Sequence, residues 1–369
     1  MTGGPPRQPT AGRARYLFLS HSHPFGPFRV GSHHYARVLS ERGADVVHVS
    51  TPISTLHRLT GRVRASELVA VPRRPRRDAH GVLHVVPRTT VPVPLGRFRV
   101  ARMLEREGID GLFDAVLIDQ PLLWDESVRS LSRTLVYRPT DLYPGGLKND
   151  VQRRILEAAD AVVATSDEVL RSLGAPRVPA LVLENGVELG RFASPAGEQR
   201  PRPARCVYVG ALDDRFDWDQ VAAWARQHPD VPFLIAGPNP RPPSALPANV
   251  EALGAVTYTD VPALLHSARV GLLPLSDDPL NTGRSPMKLY EYLAAGLSVV
   301  ARETPGIRGR SDLGIETYRD GADAAAALER ALAHPSPNRF GEEGARDQSW
   351  ERKTDALTLF LETVRESTA

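Results

Sequence analysis

Cysteine is almost absent: Cys206 is the only one in 369 residues. That excludes an internal disulfide framework and a thiolate metal cluster, agrees with a reducing compartment, and leaves Cys206 as a small core residue on a strand. Long apolar runs are missing too. The early run at 16–19 is far too short to span a bilayer, and the Arg- and Pro-bearing start has no secretory core, which predicts a soluble, cytoplasmic protein. Lysine is scarce: only Lys148, Lys288 and Lys353 occur among 46 basic residues. No strand-to-helix turn carries Gly-x-Gly-x-x-Gly, neither residues 21–31 after the first strand nor Gly210 and its neighbours, which argues against a nicotinamide dehydrogenase.

What is present fits ordinary globular domains. The length exceeds one usual hydrophobic core, and 41% hydrophobic with 24% charged residues is unremarkable for folded chains, so two domains are the default. Short apolar runs alternate with helical segments, the pattern of strands covered on both faces by crossover helices. The N-terminal half offers strands at 16–19, 46–49, 83–86, 115–118, 134–137, 161–164 and 180–183, enough for one doubly wound sheet. Residues 194–205 are rich in Pro, Gly and Arg without apolar periodicity and read as a linker. The pattern restarts with strands at 206–209, 233–236, 270–273 and 298–301, and helices near 218–226, 261–266 and 287–295. The division expected is therefore 14–192, 204–345 and a terminal helix within 346–369, with residues 1–13 disordered. That helix, 350–364, presents Trp350, Ala356, Leu357, Leu359, Phe360, Leu361 and Val364 as an apolar face needing a partner surface.

The net charge of +3 is mild but uneven. Arg58, Arg62, Arg64, Arg73, Arg74, Arg76 and Arg77 crowd one stretch together with apolar residues, which suits an anionic membrane surface or a phosphorylated acceptor, or else a solvated loop. No aromatic interleaving or binding motif points to nucleic acid.

The most informative segment runs Arg284-Ser285-Pro286-Met287-Lys288-Leu289-Tyr290-Glu291-Tyr292-Leu293-Ala294-Ala295-Gly296. Ser at a cap and Pro at the first helical position predict a helix start at Pro286. Its exposed amides and positive dipole end favour a diphosphate, and Lys288 adds a compact charge beside it. Glu291, one turn on from Met287, offers a carboxylate to vicinal ribose hydroxyls. A capped surface helix with an incidental lysine is the alternative.

This segment resembles the donor-binding helix of bacterial GT-B glycosyltransferases, enzymes with two facing Rossmann-like α/β domains. Together with Tyr208-Val209-Gly210-Ala211-Leu212-Asp213, Tyr137-Arg138-Pro139-Thr140-Asp141 and Asn185-Gly186-Val187, it is most similar to the subgroup of the xanthan glucuronosyltransferase and teichuronic acid transferases. The resemblance implies a nucleotide-sugar donor, UDP-linked, and a hydroxyl acceptor in polysaccharide, glycolipid or secondary-metabolite synthesis. It places Ser285, Met287 and Lys288 on the diphosphate, Glu291 on the ribose and Gly210 beside them. The large retaining family of similar build carries a second glutamate where Gly283 stands here, and a basic pair where Leu212 and Asp213 stand, with Arg215 or Arg284 as replacements. These departures favour inversion.

An inverting transfer needs a base opposite the leaving diphosphate. Asp141, in the loop after a predicted strand, stands where open parallel sheets bind ligands, although a turn or cap role is the plain alternative. His21 orients the acceptor or serves as a second base, unless it is a structural histidine. Asp213-Asp214 and Asp277-Asp278 resemble cation-holding pairs, yet Lys288 and the helix start offset the diphosphate directly, so no metal and no cofactor is expected. The closing helix looks like a crossover onto the N-terminal domain. A non-catalytic nucleotide-sugar or glycan binder, and an epimerase or hydrolase, stay open because fold alone does not fix reaction.

Overall fold

The computed structural model describes residues 12–26, 29–56, 71–96, 98–194, 197, 201–238, 240–285 and 287–368. Arg58, Arg62 and Arg64 of the basic stretch, Pro286 and most of the segment 1–13 lie outside the described residues.

The first sheet has eight strands: β1 (Arg15–Ser20), β2 (Asp45–Ser50), β3 (Arg76–Arg77), β4 (Leu83–Val85), β5 (Phe113–Ile118), β6 (Ser132–Tyr137), β7 (Ala161–Ala164) and β8 (Ala180–Val182), in the order β8-β7-β6-β5-β1-β2-β4-β3. All pairings are parallel except β3 with β4. Helices cover both faces, so the inner strands read as continuous apolar runs: Leu17, Phe18, Leu19, Val116, Leu117 and Ile118 are all fully buried. The edge strand β3 is two exposed arginines, and charge at an edge discourages further pairing.

The second sheet contains β9 (Cys206–Val209), β10 (Phe233–Ala236), β11 (Val250–Gly254), β12 (Val270–Leu273), β13 (Ser298–Arg302) and β14 (Ile315–Tyr318), ordered β11-β10-β9-β12-β13-β14 and parallel throughout. This is the doubly wound order of a Rossmann sheet. Cys206 is buried at its centre. Two outer strands, β11 and β14, escaped the sequence reading because each carries polar or exposed positions, such as Glu251 and Glu316, in place of an apolar run.

The final helix, Trp350–Thr368, returns to the first sheet. Trp350, Leu357, Leu361 and Val364 are buried, the first three in one cluster with Tyr16, Phe18 and Tyr35. The Trp350 ring stacks on His34 with centroids 4.8 Å apart. Leu359, assigned to this face from the sequence, is 66% exposed; it stands two positions from Leu357 and Leu361, on the opposite side of a 3.6-residue turn. Where this helix begins, the two crossings between the halves are laced together: Val187 N–H donates to Gln348 O (2.9 Å) and Trp350 N–H to Val187 O (3.1 Å). Gly186 permits the approach, since an added β-carbon would lie 2.7 Å from Gln348 O. No described helix is long and apolar enough to cross a membrane.

Candidate active site

The C-terminal ends of β1, β5 and β6 face the loop after β9 and the helix Met287–Ala294 across a cleft. On the C-terminal side, Gly210, Met287, Lys288 and Glu291 line one cavity of about 90 Å³. Lys288 and Glu291 project together because they are three residues apart on a helix. Gly210 is dictated by this packing: any β-carbon there would collide with Lys288 Cε and the Tyr208 hydroxyl, while one on Gly237 would strike Gly210 O. Burial lowers the Lys288 pKa, opposed by Glu291; burial pushes Glu291 up to about 7, opposed by Lys288. Each thus keeps the other ionisable in a site that would neutralise either alone.

Ser285, read from the sequence as the helix cap, accepts the N–H of Asn185 at its Oγ (2.9 Å), and Asn185 Nδ2 donates to Ser285 O (2.7 Å). Two residues earlier, Gly283 O accepts from Ser166 Oγ at 2.9 Å. The lead into the helix Met287–Ala294 is therefore fastened to the N-terminal half.

On that half, Asp141 follows β6 and stands half exposed, with Arg215 Nη1 4.0 Å away on the opposite wall. Arg215 also pairs with Asp213 at 2.9 Å. Arg284 is largely buried, its pKa lowered first by burial and then by Arg215. His21 is fully engaged: Gln120 Nε2 donates to its Nδ1 (3.0 Å), and its Nε2–H donates to Thr140 Oγ1 (3.1 Å). This tautomer is assigned from the network, since Gln120 Oε1 accepts from Leu122 N–H. Burial lowers the His21 pKa, so the ring is neutral with its lone pair already occupied. Beneath it, Arg138 and Asp119 form a buried pair with Nε 2.8 Å from Oδ1.

The structure thus gathers Gly210, Arg215, Arg284, Met287, Lys288, Glu291 and Asp141 around one cleft, with His21 behind Asp141. Of the acidic pairs, Asp213 is bonded to Arg215, Asp277 to Arg302, and Asp278 is a cap accepting Leu280 N–H. Among the described residues no group of three or more His, Cys, Asp and Glu is placed to hold a metal.

Arg29 and Tyr258 also line the cavity, and the sequence reading missed both. The Arg29 guanidinium lies 5.7 Å over the Tyr258 ring, and Arg191 lies 4.8 Å over it. Arg29 sits in the loop after β1, where ligand-facing groups of such sheets cluster, and that position was the available signal. Gln120, just past the end of β5, carried the same one.

Two facing Rossmann sheets with the cleft between them define the GT-B fold. Solved structures of similar fold include sucrose-phosphate synthase from Thermosynechococcus elongatus (TM-score 0.71, 16% identity, 96% of this chain and 100% of that one) and Anabaena Alr3699/HepE in complex with UDP and glucose (TM-score 0.64, 14%, 95% and 100%). Residues 203–334 match the family model for Glycosyl transferases group 1. More particularly, the chain is similar to the putative teichuronic acid biosynthesis glycosyltransferase TuaH of Bacillus subtilis, 26% identical over 265 residues, and to glycogen synthase of Mycobacterium tuberculosis, 27% over 208 residues. These alignments span 64% and 50% of this chain, and 64% and 49% of those proteins.

Proposed function

We propose that this chain transfers a sugar from a nucleoside diphosphate donor, UDP-linked, to a hydroxyl group in glycan, glycolipid or secondary-metabolite synthesis, with inversion and without a metal ion. The observation that carries this is Glu291, buried, with Lys288 beside it in one cavity, while Asp141 stands 4.0 Å from Arg215 across the same cleft. Two cations, Lys288 and Arg284, and the helix start at Met287 suit the two phosphates; Glu291 suits the ribose hydroxyls. The similarity of residues 203–334 to glycosyltransferases supports a sugar nucleotide as the ligand, and the UDP complex of the Anabaena protein supports uridine.

In this mechanism the acceptor oxygen attacks the anomeric carbon as its bond to the diphosphate breaks. The acceptor proton passes to Asp141, and the departing charge is met by Lys288 and Arg284. His21, with no free lone pair, orients Thr140 and the Asp141 loop. Arg215 lies 4.0 Å from Asp141 on the facing wall.

Thermal-shift screening against UDP, UDP-hexoses, UDP-glucuronate and GDP-mannose tests the ligand class, because a specific donor raises the melting temperature by mass action. Stabilisation by uridine nucleotides that disappears in Lys288→Ala is expected. Stabilisation by none of them, or equal stabilisation in the variant, overturns the assignment. Proton NMR of the product formed from an α-linked donor reads inversion as a β linkage.

A further inference from the structure

We propose that Lys148 recognises an anionic substituent, a phosphate or a carboxylate, on the sugar that accepts the transfer. This rests on the donor and base assignments above and adds the chemical class of the acceptor.

Lys148 stands in the first turn of the helix Gly146–Ala158, directly after the loop that carries Asp141. Its Nζ lies 4.9 Å from the centroid of the Tyr143 ring, so the side chain is laid along the acceptor wall. Its charge and that of Asp141 both bear on His21.

The charges around the Asp141 loop decide what can bind beside it. Arg138 is consumed by Asp119 and Arg215 by Asp213 and Asp141, while Lys288 lines the donor cavity and feels the charge of Arg284. Among the described residues, Lys148 has no carboxylate within ion-pairing distance. The first turn of its helix holds no acidic residue either. Beside it, the Tyr143 hydroxyl is buried without a hydrogen-bond partner. An ammonium with no counter-ion and a phenol with no partner, both just after the base in the chain, are donors awaiting an anionic oxygen. A neutral acceptor would leave both unused.

The residue type points the same way. Only three of the 46 basic residues are lysines, and Lys288 is in the donor cavity. An ammonium is a compact charge whose three donors rotate onto a substituent of varied geometry, where arginine presents a fixed planar fork.

Calorimetric titration of the UDP-loaded full chain with glucose 6-phosphate, glucuronate and glucose tests this. The expected result is that one anionic sugar binds roughly tenfold or more tightly than glucose, and which one separates phosphate from carboxylate. Lys148→Ala should erase that preference with UDP affinity retained, and Lys148→Arg should keep part of it. Three sugars that bind alike, including not at all, or a preference that survives Lys148→Ala, overturn the proposal. Failure of UDP to bind overturns the donor reading as well, whereas UDP binding without anionic preference removes this proposal alone.

Discussion

Arg29 and Tyr258 meet across the cleft from opposite halves of the chain, guanidinium over ring at 5.7 Å. Arg29 donates to Gly26 O and otherwise brings its charge into a cavity that already holds Lys288. An anionic donor relieves that crowding. Arg29→Ala is expected to weaken UDP binding roughly tenfold, the worth of one charge-assisted contact. Equal dissociation constants by calorimetry would show that the N-terminal half contributes nothing to donor affinity.

Asp141→Asn keeps the shape of the loop and removes the proton acceptor. Turnover should fall by at least about 100-fold, the usual share of a general base, while the UDP dissociation constant changes less than about twofold. Steady-state kinetics beside calorimetry separate the two. Unchanged turnover removes Asp141 from the chemistry.

Glu291 gives a pH signature. Its carboxyl is raised from 4.5 to about 7 by burial, and under the proposed ribose contact the sugar hydroxyls donate to the ionised form. Donor binding therefore favours loss of a proton, so affinity for a UDP-hexose should decline as pH drops below about 7, by up to roughly tenfold per unit. Titrations in buffers of different ionisation enthalpy should register proton release near neutrality. A flat profile between pH 5.5 and 8 contradicts the ribose assignment.

The same group affects stability with a definite sign. Below pH 4.5 the carboxyl is protonated folded or unfolded and costs nothing. As pH rises toward 7 the unfolded chain ionises first, so stability is lost, and above about 7 the loss is complete. Glu291→Gln should accordingly raise stability at pH 8 by on the order of 2–3 kcal/mol, visible in urea melts, while weakening the donor. His33, His34 and His48 work oppositely: burial lowers all three, His33 to about 3, so their contribution is present above about pH 6.5 and lost toward acid. Comparing variant and parent at each pH isolates Glu291.

Trp350 is fully buried against His34 and Tyr35. Trp350→Ala should cost about 3–5 kcal/mol, and near-parental stability in denaturant melts would show that the closing helix holds the first sheet only loosely.

The inner strands were legible because sheets covered on both faces demand uninterrupted apolar runs such as 115–118 and 270–273. Outer strands were not: Val250–Gly254 and Ile315–Tyr318 mix polar residues into short segments, and nothing local separates them from loops. The helix Met287–Ala294 announced itself through its own sequence, with Lys288 and Glu291 at fixed spacing. Partners drawn from distant segments left no such trace. Arg29 over Tyr258, Asn185 on Ser285 and Gln120 on His21 arise only when separate strand ends converge. Leu359 shows the reverse error, an apolar residue credited to a face that helical geometry turns away from.

Because Val187 is bonded to Gln348 and Trp350, the polypeptide passes between its halves twice at a single point. Two passages pinned side by side leave essentially one axis for swinging apart, as paired knuckles do for a door. Any opening about that axis would carry Arg29 and Asp141 away from Tyr258 and Arg215 along one arc.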